Sequence, residues 1–194
     1  MKLLFLACMI AVCSAIPPVP NVAETFCGDG EIEFHETEVT AMGEFMMCRD
    51  EVKQMEVQDA KYDDKDMHNR RQSLLRYDST TSHMAYYIRG EEGKEHCAPM
   101  MRNLTFPLPS FFSWVKVANY EGQRKVREMS YDVWALTVAD VRFELAVAPG
   151  TPNVPVFYNR ISVEDFVFYS FKSFNATTPS DPKVFDVPPV CKGP

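Results

Sequence analysis

The amino-acid sequence predicts a mostly β protein of about nine to eleven strands, largely antiparallel, with little helix. Three observations carry that prediction. Apolar and polar residues alternate in runs of strand length, and Gly, Pro, Asn and Asp interrupt them at short intervals. No stretch sustains the i, i+3, i+4 spacing of an amphipathic helix. An aromatic strand, EDFVFYSFKSF at Glu164 to Phe174, leads into a tail holding Pro179, Pro182, Pro188 and Pro189, which can join neither a sheet nor a helix. Such a tail frays unless it is tied down. Cys191 is the evident tether, to a cysteine far back in the chain.

In chain order, MKLLFLACMIAVCSA has a basic start at Lys2, an apolar stretch from Leu3 to Val12 and a small-residue site at Cys13-Ser14-Ala15. It reads as a secretory signal peptide over residues 1–15, leaving a single β domain over 16–194. IPPVPNVAETF is an extended lead-in. EIEFHETEV alternates, with Ile32 and Phe34 on one side, and TAMGEFMMCRD and EVKQMEVQDA are two further strand-like runs. DAKYDDKD, Asp59 to Asp66, reads as a polar turn that NRRQ continues. SLLRY and HMAYYI form a hairpin around DSTTS. GEEGKEHCAPMMRN places Cys97 in a charged loop, and a short helix fits within residues 88–103 or near Ile161 to Glu164. FFSWVKVANYEG reads as a strand with Phe112 and Trp114 on one face. SYDVWALTV places Trp134, Leu136 and Val138 on one side and Tyr131, Val133, Ala135 and Thr137 on the other. Both faces are apolar, as in a central strand. Asp140 breaks the run, VRFELAV continues to the Pro149-Gly150 turn, and VPVFYNRI precedes the terminal strand.

Removal of the leader leaves Cys27, Cys48, Cys97 and Cys191, an even set that implies two disulfides in an oxidising compartment, with three connectivities open. Cys27 and Cys48 lie close enough in sequence to bridge adjacent strands. The formal charge of −7 argues against nucleic acid and anionic membranes as partners. No stretch matches a transmembrane helix. Asn103-Leu-Thr and Asn175-Ala-Thr are N-glycosylation acceptors at predicted loops of an exported chain. His35, His68, His83 and His96 are scattered, and no nucleophile elbow, phosphate loop or zinc motif is present, so a non-enzymatic protein is expected. No cofactor is required.

The distinctive feature is aromatic content. Phe111, Phe112, Trp114, Trp134, Phe143, Phe157, Phe166, Phe168 and Phe171 exceed what a plain two-layer core needs. With two apolar faces on the later strands, they are the candidate lining of a pocket for a lipid or another apolar small molecule; the alternative is that they fill the core. Asp59, Asp63, Asp64 and Asp66, with Glu91 and Glu92, offer oxygen-only loops of the type calcium prefers, although their spacing is not that of an EF-hand.

These segments together resemble the ependymin family. The resemblance rests on early Cys27, on SLLRYDSTTSHMAYYIRGEEGKEHCAPM with Cys97 beyond a hairpin, on SYDVWALTVADVRFELAV, and on the ending Asp181, Pro182, Phe185, Pro188, Pro189, Cys191. It implies a secreted extracellular glycoprotein, linked to calcium and to cell–matrix adhesion, and frequently a homodimer. It also implies a curved antiparallel sheet, a half-open barrel like that of bacterial lipoprotein carriers, around a hydrophobic pocket suited to fatty acids. It pairs Cys97 with Cys191. The family's usual partner for Cys27 falls at Asp140-Val141 here, so Cys48 is expected to take that place.

Overall fold

The computed structural model describes residues 16–36, 39–64, 67–77, 84–101, 107–150 and 152–192. The leader, Asp66 and Asn103 lie outside them, as does the side chain of Asp64. The strands are β1 (Phe26–Glu36), β2 (Val39–Asp50), β3 (Met55–Asp64), β4 (Met67–Arg76), β5 (Met84–Glu91) and β6 (His96–Met101). A second series follows: β7 (Asn119–Val126), β8 (Met129–Val138), β9 (Val141–Ala148), β10 (Val154–Ile161) and β11 (Asp165–Asn175). All pair antiparallel in one sheet, in the order β6-β5-β4-β3-β2-β1-β11-β10-β9-β8-β7. Two meanders are joined where the first and last strands meet, and the sheet is not closed.

Three expectations are corrected. Asp59 to Asp64 belong to β3, not to a turn, because the β3–β4 register continues through Asp64↔Met67. Cys97 sits in β6, and neither place where a short helix was considered forms one among the described residues: the first holds β5, a turn and β6, and the second is the bend between β10 and β11. FFSWVKVANYEG is not one strand: Ser113–Val117 forms a 3-10 turn and β7 begins only at Asn119. Topology explains the last difference. β6 and β7 lie at opposite edges, about ten strand spacings or on the order of 48 Å apart in a flat sheet. The described part of the connection, residues 107–118, packs on the inner face of the sheet through Phe112 and Val115, which removes it from the ladder.

The sheet is strongly curled. β11 and β3 are separated by β1 and β2, a gap of about 14 Å at ordinary spacing, yet Tyr169 Oη donates to Gln58 Oε1 at 3.3 Å. Cross-strand partners share a face, which assigns Phe34, Phe45, Ala60, Tyr158, Tyr169 and Leu145 to the inner side. At the central seam β11 carries a bulge at Lys172, opposite the step from Asp29 to Gly30 in β1. A Cβ on Gly30 would lie 2.0 Å from Ser170 O, so the close approach there requires glycine.

The inner core joins Phe26, Phe34, Phe45, Trp134, Leu145, Tyr158 and Phe171 to Phe112 and Val115 of the crossing segment. On the outer side, a proline-rich tail lays Phe185, 2% exposed, over Val57, Leu74 and Cys48. A separate outer cluster joins Val133, Ala146 and Phe157. Two disulfides are formed, Cys27–Cys48 across β1 and β2, and Cys97–Cys191 between β6 and the tail.

Candidate functional site: a half-plugged inner cleft

Residues 107–118 act as a plug on the inner face, held by polar anchors on either side of its aromatic residues. Arg49 is 1% exposed. Its guanidinium donates to Glu56 Oε2 at 2.7 Å, to Pro109 O at 2.6 Å and to Leu108 O at 3.4 Å. Glu24 accepts from the backbone N–H of Phe111 and Phe112 at 2.8 and 3.0 Å, and from the Ser110 hydroxyl. Gln54 Oε1 accepts from Leu108 N. With these bonds made, Phe112 packs on Phe26, Phe111 on Tyr158 and Trp114 on Phe143.

Among the described residues, the plug covers the β8–β11 side of the inner face and leaves the β2–β5 side open. A cleft remains there. Ile32, Phe34, Phe45, Ala60 and Val167 give it an apolar floor, and Gln58, Asp59, Ser73, Arg71, Tyr87 and Tyr169 give it a polar rim. Arg71 stacks over the Tyr87 ring at 5.3 Å. Tyr169 and Tyr158 stack at 5.9 Å along the border between plug and cleft. Burial pushes the Tyr169 hydroxyl up to about 12, so near neutral pH it stays a hydrogen-bond donor and does not act as a base. The cleft volume is about 70 Å³, well below the ~300–1,000 Å³ of a site that engulfs a drug-sized ligand.

The aromatic residues expected to line a pocket do not line this one. Phe111, Phe112, Trp114, Trp134, Phe143 and Phe171 belong to the plugged inner core. Phe157 and Phe168 belong to the outer cluster, and Phe166 stacks on Phe168 with an interplanar angle of 3°. The reason is topological: alternation puts aromatics on both faces, but only the β6–β7 crossover decides which ones are covered. The cleft residues Phe34, Phe45, Tyr87 and Tyr169 were missed. Phe45 and Phe34 stand at inward positions of alternating runs, which is the signal that was available.

The described acidic side chains are engaged in ion pairs. Arg70 holds Asp59 through two bonds of 3.0 and 2.6 Å, and His68 Nδ1 lies 2.5 Å from Asp63. Lys61 pairs with Glu92 and Lys94 with Glu91, each at 2.7 Å. Among the described residues no three metal-ligating side chains cluster. Asn175, at the end of β11, is exposed, and its side-chain oxygen accepts from the Thr177 hydroxyl at 2.9 Å.

No protein-family profile and no curated protein matches the chain. Among solved structures it is similar to a DUF1329 family protein from Desulfovibrio piger, at 7% identity over 85% of this chain and 90% of that one, with a TM-score of 0.39. It is also similar to the MucA/MucB complex structure from Pseudomonas aeruginosa, at 16% identity over 82% of this chain and 54% of that one, with a TM-score of 0.33. The class defined here is an open, curled antiparallel β-sheet protein, which its own strand order establishes. The ependymin assignment is corrected: no profile or curated match supports it. Its quoted motifs are proline turns, a hairpin and a tethering cysteine, features that any disulfide-tied β tail needs. Calcium binding, matrix adhesion and dimerisation lose the basis that the resemblance gave them.

Proposed function

We propose that this protein is a non-enzymatic carrier or sensor that holds a fatty acid or similar lipid by one end in the inner cleft. The observation that carries the reading is the apolar floor between β1 and β4, left uncovered beside a plug that covers the rest of the face. Each buried methylene contributes about 0.8 kcal/mol, and the cleft's size suits a terminal segment with the remainder lying toward solvent. Tyr87 and Arg71 bring polar groups to the rim, beside Asp59, whose carboxylate is held by Arg70. Two disulfides support export to an oxidising compartment, and the exposed sequon at Asn175 supports glycosylation there.

The test is calorimetric titration of dodecanoate into the wild type and into Ser73→Phe, which fills the cleft from β4. The reading expects at least tenfold weaker binding by the variant at an unchanged melting temperature. Equal binding by both proteins would sink it.

A further inference from the structure

A second recess, of about 230 Å³, lies on the outer face beneath the tip of the β7–β8 hairpin. Val126 and Tyr131 from the hairpin, with Val154 and Val156 of β10, form its apolar wall. Among the described residues its charged lining consists of Arg127 and Lys172, with Glu31 beside it rather than in it. That is unexpected in a chain of formal charge −7, since at a Debye length of about 8–10 Å only local charges decide what such a recess attracts. Nearby Glu31 lies 3.4 Å from Arg127 and 3.2 Å from Lys172, and exposed Glu44 stands 4.0 Å from Lys172. Surface pairs of this kind are weak and exchange readily.

The hairpin tip adds an independent observation. Arg127 and Glu128 form its two-residue turn with φ of 47° and 71°, a left-handed conformation that Asn-Gly would adopt with less strain. A residue unsuited to the turn is nevertheless aimed across β11, where Arg127 donates to Ser170 Oγ at 3.3 Å.

We infer that this recess binds an anionic amphiphile, with Arg127 and Lys172 contacting a sulfate, phosphate or carboxylate and Val126, Val154 and Val156 taking the attached apolar group. The site is separate from the inner cleft. Its test uses octyl sulfate below its micelle concentration, octanol and inorganic sulfate as calorimetric probes of the full protein. Octyl sulfate is expected to bind the wild type at least tenfold more tightly than octanol or inorganic sulfate. The double variant Arg127→Gln/Lys172→Gln is expected to lose at least tenfold, Arg127→Lys to retain binding, and the cleft variant Ser73→Phe to be unaffected. Three results would each overturn the inference: no octyl sulfate binding, equal binding by the double variant, or inorganic sulfate matching octyl sulfate, which would leave an anion site without an apolar component. Loss of octyl sulfate binding in Ser73→Phe alone would assign the amphiphile to the inner cleft and refute the recess.

Discussion

Arg49 shows how one residue can fix a whole segment. It is buried, and it spends its donors on Glu56 and on the carbonyls of Leu108 and Pro109. Removing one member of such a group strands the others without solvent. Arg49→Ala should therefore lose about 3–5 kcal/mol, read from urea unfolding. Glu144 makes the corresponding group on the outer face. Burial pushes its carboxyl up, but hydrogen bonds from Arg124 and Arg142 outweigh that and hold it below 4.5. Asp165 is likewise lowered, chiefly by the Ser162 hydroxyl and with help from Arg160. Both groups are more acidic folded than unfolded, so the unfolded chain binds more protons as pH falls. Stability should stay flat from neutral pH to about 5 and then drop as pH falls through the ordinary carboxylate range. Glu144→Gln should show a shallower acid slope in the same denaturation series; an unchanged slope would contradict the assignment.

At the scale of elements, the plug behaves as core although it has little regular structure. Phe112 is 3% exposed and touches Phe26 and Phe111, whereas Val117, at the end of the same 3-10 turn, is 69% exposed. Phe112→Ala should cost about 3–5 kcal/mol and Val117→Ser less than about 0.5, measured by the same unfolding curves. The seam between the meanders depends on close backbone approach at Gly30, where a Cβ has no room against Ser170 O. Gly30→Ala should therefore lower the melting temperature although it adds only one methyl group. A melting temperature equal to the wild type's would mean that the bulge relaxes freely.

For the whole molecule, the tail works as an outer strap. It crosses from β11 over β3 and is tied to β6 by Cys97–Cys191, which spans 94 residues. In the chain-entropy model a loop of that length is worth on the order of 4–5 kcal/mol. Cys191→Ser should lose up to that amount and bare Val57 and Leu74. The exposed surface should appear as faster proteolysis within the tail and as binding of an apolar dye. The inner cleft lies on the other face and should keep its shape at temperatures where the variant is folded.

The β character, the near-complete strand set and the tied tail were legible because they follow from local chemistry: period-two alternation, turn residues and prolines that stop pairing. The strand at Trp134 was legible as doubly apolar for the same reason. Which face each ring joins, and which rings meet a ligand, was not legible. Phe112 and Val115 read as strand residues until the opposite placement of β6 and β7 forces their segment across the sheet. Phe45 and Tyr169, far apart in sequence, meet at 4.9 Å only because the sheet curls. Local pattern determined the elements; the order of pairing and the curl of the sheet, both set by contacts distant along the chain, decided the cleft.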